Sequence, residues 1–166
     1  SYLDGTGMAL FQDRHIQRHS TEARQPDDGR THVVRDLDEW MSRHAHEVEK
    51  FCMFFDSIEI AQAALVRFRA FPGIEAVQGA PDNVEVTAAG VDKGTALLAL
   101  ADRLGIPREA TLAIGDSDND RAMLARAGVA AVMANALPEI RALGDIVSTC
   151  DNDHDGVAEL FERLGL

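Results

Sequence analysis

Hydrophobic and polar positions follow a regular rhythm from Phe51 to the end of the chain, and no clear rhythm before it. Phe51-Cys-Met-Phe-Phe55 is a short continuous apolar run, which predicts a buried strand. Apolar residues at helical spacing then predict a helix from Ile58 to Ala70. Ile74 to Gln78 and Val84 to Thr87 flank the turn Ala80-Pro-Asp-Asn83 and predict an antiparallel strand pair. After Gly90 the alternation becomes strict. A helix is predicted from Asp92 to Leu104, stopped at Gly105, where a left-handed residue costs little. There follow a strand (Thr111 to Ile114), a helix (Asn119 to Ala127, ended by Gly128) and a strand (Val129 to Met133). A short helix (Pro138 to Leu143), a strand (Ile146 to Ser148) and a helix (Gly156 to Leu164) complete the series. Short apolar strands alternating with helices predict a parallel sheet covered on both faces. The fold class is α/β, with a Rossmann-like C-terminal half.

Residues 1 to about 48 read instead as polar and irregular, with the loop-like Gln25-Pro-Asp-Asp-Gly29 and five of the six histidines (His15, His19, His32, His44, His46). There is no internal repeat or low-complexity tract. At 166 residues the chain has room for about one domain or slightly more. Lys plus Arg number 16 against 28 Asp plus Glu, a formal charge of −12, which disfavours nucleic-acid and anionic-membrane partners. No apolar run approaches the roughly 18 residues of a membrane span. Cys52 and Cys150 lack metal-type spacing, which excludes a disulfide scaffold and points to a reducing, cytoplasmic setting.

The strongest chemical constellation is Gly115-Asp116-Ser117-Asp118-Asn119-Asp120, which follows an apolar strand and leads into a helix. Ligands of open α/β sheets bind outside the carboxyl ends of the strands, so this turn points at a site. Its clustered carboxylates repel one another unless a cation sits among them, and Mg²⁺ is the hard, oxygen-seeking candidate. The plainer reading is that acidic residues cap the next helix. Lys93, in Gly90-Val-Asp-Lys-Gly94, stands at a helix start, where the dipole does not favour a cation. One crossover before the acidic turn, it can reach the same sheet edge and meet a phosphoryl oxygen. Solvated surface is its ordinary alternative.

From about residue 50 to 166 the chain resembles the haloacid dehalogenase-like phosphatases, specifically the Cof-type branch with a C2-type α/β cap. The resemblance rests on Val84-Glu85-Val86, Gly90-Val-Asp-Lys-Gly94, Gly115-Asp-Ser-Asp-Asn-Asp120 with Met123-Leu124, Val132-Met-Ala-Asn-Ala136 and Asp155-Gly-Val-Ala158, in that order. One departure is Ala134, where the family commonly has glycine. The resemblance implies part of a cap over residues 1–89 and the C-terminal half of the core over 90–166. It also implies a Mg²⁺-dependent phosphomonoester hydrolase acting on a small phosphorylated metabolite, such as a sugar phosphate, through an aspartyl-phosphate. Lys93 would steady the nucleophile and the phosphoryl charge, and Asn119 would contact phosphate. Asp116 and Asp120 would hold Mg²⁺, with Asp120 also orienting Lys93 or a metal-bound water.

The family's nucleophile lies in Asp-x-Asp-Gly-Thr, and two stretches imitate it. Leu3-Asp4-Gly5-Thr6 puts Tyr2 at the attacking position, and Asp36-Leu37-Asp38 is followed by Glu39-Trp40 instead of Gly-Thr. The chain, which opens on Ser1, is therefore expected to be a C-terminal fragment without its nucleophile, inactive alone and prone to self-association through an exposed sheet edge.

Three rival readings remain. Asp151-Asn-Asp153-His-Asp155-Gly156 with Glu162 matches the spacing of a calcium-binding EF-hand loop over 151–162, although a strand, not a helix, is expected before it. His15, His19, His44 and His46 suggest a zinc site without its usual signature. A non-catalytic binding domain of the same architecture is the third. Trp40 and Met41 read as core, Glu85 as a strand residue on a solvated face, and Cys52 as an inert buried thiol.

Overall fold

The computed structural model describes residues 36–166 and, before them, strands at 2–3, 7–11 and 31–34. The chain divides into two compact units, Ser1–Ala89 and Gly90–Leu166.

In the first unit, β1 (Tyr2–Leu3), β2 (Gly7–Phe11), β3 (Thr31–Val34), β4 (Val48–Phe54), β5 (Ile74–Val77) and β6 (Asn83–Ala88) form one sheet. Its order is β3-β2-β1-β4-β6-β5. The expected antiparallel pair is present as β5 and β6, with Ala76 opposite Val86. Helix α2 (Ile58–Arg69) starts at its N-cap Ser57 and packs Leu65 against Ala76, Val84 and Val86.

Four expectations change here. The strand read from Phe51 begins earlier, at Val48, because Lys50 joins the ladder opposite Thr87 and pairs with Glu85. Pleating also splits the apolar run: Phe51, Met53 and Phe55 meet the α2 side, while Cys52 stands opposite Glu85. Glu85 is therefore not solvated; its side chain is 14% exposed and accepts Lys50 Nζ at 2.9 Å. The region read as irregular contains α1 (Leu37–His44), which local signals explain. Asp36 caps it by accepting the Glu39 N–H at 2.9 Å, and Arg43 pairs with Glu39 one turn on. Trp40 and Met41 are half-buried, with Trp40 stacked on His44, so they are not fully core.

In the second unit, β7 (Leu112–Gly115), β8 (Val129–Val132) and β9 (Ile146–Val147) form a parallel sheet in that order. One face packs Ala113, Ala130 and Val132 against Leu97 of α3 (Lys93–Arg103), Leu124 of α4 (Arg121–Arg126) and Ile140 of α5 (Pro138–Arg141). The other packs Ala131 and Ile114 against Leu160 of α6 (Gly156–Leu164). Both faces are covered, as an all-parallel apolar sheet requires. Val132 and Leu160 are wholly buried, each stabilising the unit by about 1.5–3 kcal/mol. Helix α3 ends before Gly105, whose φ of +68° is the left-handed conformation expected there. Helix α4 starts later than expected, after a 3₁₀ turn at Asp118–Asp120, because the Asp120 side chain folds back onto the preceding loop.

Candidate active site

Asp116 is the first residue after β7, at the carboxyl end of the sheet. The loop turns tightly there. A Cβ added at Gly115 would lie 2.5 Å from the Asp120 Cβ, so only glycine lets Asp120 pack against the strand end. Asp120 Oδ2 accepts the backbone N–H groups of Asp116 at 3.0 Å and Ser117 at 3.2 Å, closing the loop on itself. Its other oxygen, Oδ1, accepts Lys93 Nζ at 2.6 Å. Lys93 Nζ also donates to Asn119 Oδ1 at 3.2 Å, and the Ser117 hydroxyl donates to the same oxygen at 2.9 Å.

Asp120 is nearly buried (8% exposed), whereas Lys93 is 47% exposed and can meet a ligand. Burial works against ionisation of Asp120. The Lys93 hydrogen bond, the backbone donors and the Lys93 charge outweigh it and hold the carboxyl below its ordinary range. The pair is thus an anion fixing an ammonium at a sheet edge.

Lys93 is aimed by its helix start. Asp92 caps α3 through the Thr95 N–H at 2.7 Å, and Arg126 at the end of α4 grips the same carboxylate at 2.8 Å. A Cβ at Gly94 would lie 2.3 Å from the Ala122 carbonyl oxygen, so α3 and α4 approach at backbone contact beside Lys93. Sequence reading missed Arg126, because its bond to Asp92 spans 34 positions.

Asp116 has a different environment. Its Oδ2 accepts Asn135 Nδ2 at 2.9 Å, while Oδ1 has no hydrogen-bond partner among the described residues. Asn135, in the loop after β8, lies within Val132-Met-Ala-Asn-Ala136, and no local spacing marks its bond to Asp116. Of the two carboxylates read as Mg²⁺ ligands, Asp120 has both oxygens engaged by protein donors, and Asp116 has one oxygen open.

The described residues contain no group of three or more His, Cys, Asp and Glu side chains able to hold a metal. A closed cage is therefore not built here. One open carboxylate oxygen suits Mg²⁺ nonetheless, because that ion keeps waters and phosphate oxygens in its shell.

The rival motifs resolve differently. Helix α6 begins at Gly156, the sixth position of the supposed calcium loop, and the strand β9 precedes it. With a strand before the loop and the helix begun at its sixth position, the helix–loop–helix an EF-hand needs is absent; Asp151 Oδ1 instead accepts the Asp153 N–H and meets the His154 ring. His15 and His19 lie outside the described residues, as do positions 4–6 of the first nucleophile imitation. His44 and His46 both face Glu47, and Asp36 of the second imitation is the α1 cap. Cys52 is only partly buried; burial, reinforced by Glu85, raises its thiol pKa. Among the described residues no helix is long and apolar enough to cross a membrane.

The sequence model of the haloacid dehalogenase-like hydrolases matches residues 4–161. Phosphatase YwpJ of Bacillus subtilis is 38% identical over 114 residues, 69% of this chain and 39% of that protein. The 5-amino-6-(5-phospho-D-ribitylamino)uracil phosphatase YcsE of the same organism is 35% identical over 118 residues, 71% of this chain and 47% of its own length. The chain thus spans less than half the length of these curated relatives. Among solved structures, a haloacid dehalogenase-like hydrolase from B. subtilis superposes with a TM-score of 0.71 at 32% identity, covering 81% of this chain and 47% of that one. The subclass IIB sugar phosphatase BT4131 superposes with a TM-score of 0.75 at 22% identity, over 99% of this chain and 59% of its own, a likeness of fold.

Proposed function

This chain belongs to the haloacid dehalogenase-like hydrolase family, and we propose that the protein carrying it is a Mg²⁺-dependent phosphomonoester hydrolase of a small phosphorylated metabolite. The observation that carries the proposal is the Lys93–Asp120 pair beside Asp116 at one strand end. Phosphoryl transfer demands positioning and charge neutralisation more than elaborate covalent chemistry, and this arrangement supplies both.

Lys93 neutralises charge on the phosphoryl oxygens, and Asp120 holds its ammonium in place. Asn119, whose Oδ1 accepts the Lys93 ammonium and the Ser117 hydroxyl, stands beside that charge and is the residue assigned to phosphate contact. Asp116 is the chain's Mg²⁺ ligand, and the bound ion would supply Lewis-acid stabilisation of phosphate oxygens. The attacking carboxylate, and the aspartyl-phosphate it forms, are assigned to an Asp-x-Asp-Gly-Thr outside these 166 residues, since Asp36 caps a helix. A sugar phosphate is the substrate class we favour, in keeping with the names of YcsE and BT4131. A cytoplasmic setting accords with the free thiols Cys52 and Cys150.

The test is hydrolysis of p-nitrophenyl phosphate by the full-length protein with Mg²⁺ and with EDTA. Turnover that needs Mg²⁺ and disappears in Asp116→Asn is expected. Unchanged turnover in that variant would remove Asp116 from the site. Turnover by the 166 residues alone that is lost in Asp36→Asn would overturn the assignment of the nucleophile.

A further inference from the structure

Asn135 joins three strand-end loops of the second unit. It follows Val132, where β8 ends, and donates from Nδ2 to Asp116 Oδ2 in the loop after β7. Its Oδ1 accepts the backbone N–H of Asn152, in the loop between β9 and α6, at 3.2 Å. These two bonds also fix the sense of the amide. With the oxygen engaged by an N–H donor, the NH₂ must face the carboxylate.

The segment carrying Asn135 is pinned on both sides. The Ala134 N–H donates to Ser148 Oγ at 2.9 Å, and Ala136 is 7% exposed within the core below the loop. The amide is thus presented from a fixed turn although Asn135 itself is exposed. A lone carboxylate on a loop rotates freely and must lose that freedom when it binds a cation. The Asn135 bond ties Oδ2 and leaves Oδ1 as the open oxygen.

We propose that Asn135 is a positioning residue, which orients the Asp116 carboxylate for its cation and couples that orientation to the loop around Asn152. The inference rests on the reading of Asp116 as the Mg²⁺ ligand. It makes Asn135 an outer partner of that ligand, of the kind whose removal weakens metal affinity without abolishing it.

The experiment compares wild type, Asn135→Ala and Asp116→Asn in the full-length protein. It reads Mn²⁺ binding by paramagnetic resonance without substrate, and Mg²⁺ activation of p-nitrophenyl phosphate hydrolysis. Asn135→Ala is expected to weaken metal binding about tenfold. Saturating Mg²⁺ should restore its turnover, with substrate KM at wild-type level. Wild-type metal affinity in Asn135→Ala, or a loss of kcat that excess Mg²⁺ leaves in place, would overturn the inference. Wild-type metal affinity in Asp116→Asn would instead overturn the ligand assignment beneath it.

Discussion

Lys93 Nζ stands 2.6 Å from Asp120 Oδ1, although 27 positions separate the two residues in the chain. Neither residue belongs there on local grounds. A cation at the first position of α3 opposes the helix dipole, and a carboxylate that is 8% exposed needs strong partners. Each answers the other's cost, and the result is a fixed positive charge at the end of a parallel sheet.

Removing that ammonium tests its role. Lys93→Ala in the full-length protein is expected to lower kcat by about 100-fold or more, the scale for losing a preorganised charge donor. It should also cost about 1–3 kcal/mol of stability, since Asp120 loses a hydrogen-bonded partner. Lys93→Arg keeps the charge but not the compact geometry, and should recover stability better than activity. Steady-state kinetics beside thermal melts check both parts; full activity in Lys93→Ala would remove Lys93 from the chemistry.

The close approach of α3 and α4 gives a second prediction. In Gly94→Ala the new methyl would meet the Ala122 carbonyl at 2.3 Å, against backbone that cannot yield cheaply. The helices must separate, at a cost of about 1–3 kcal/mol. The movement displaces Lys93, the neighbouring residue, so activity should fall even where the variant is fully folded. Breaking the Asp92–Arg126 bond with Arg126→Ala should have a milder effect in the same direction, because that pair is part-exposed. Equal melting temperatures for Gly94→Ala and wild type would show that the contact carries no strain.

Much of this architecture was legible from pattern alone, and the exceptions have physical reasons. The strands β7 and β8 are apolar on both faces, so neither could be mistaken for a solvated edge. Helix α1 was hidden because its apolar residues are few, although the Asp36 cap and the Glu39–Arg43 spacing were readable. The start of α4 was misplaced because Asp120 spends its side chain on the loop behind it. At the site, Lys93 and the Gly115–Asp120 turn stood out by residue type. Asn135 and Arg126 did not, since their bonds to Asp116 and Asp92 cross 19 and 34 positions and follow no local spacing.

Self-association is a third prediction. β7 pairs only with β8 among the described strands, and Leu100, Leu104 and Ile106 of the α3 region are exposed. An unpaired strand edge with apolar residues nearby favours pairing between copies. The 166 residues expressed alone should give a scattering mass that rises with concentration. A monodisperse monomer across that range would refute the prediction.

Acid sensitivity of the second unit supplies the last prediction, through Glu159. Its carboxylate accepts the Thr149 and Cys150 N–H groups, each at 2.8 Å at the nearer oxygen, and Arg163 at 3.0 Å. The two backbone donors, then Arg163, bring its pKa down from 4.5 to about 2. A carboxyl with a depressed folded-state pKa stabilises the fold above its unfolded value and loses that contribution as pH falls through the folded one. The contribution is therefore whole above about pH 5, declines below it and is gone near pH 2. Glu159→Gln cannot titrate and offers one acceptor where the carboxylate offers two. It should melt lower than wild type at neutral pH, and the gap should close as the solution is acidified across that window. The loop between β9 and α6 should loosen with it, seen as faster amide exchange at Thr149 and Cys150. A gap that stays constant from neutral pH to about pH 2 would show that the Glu159 charge is not what holds this loop.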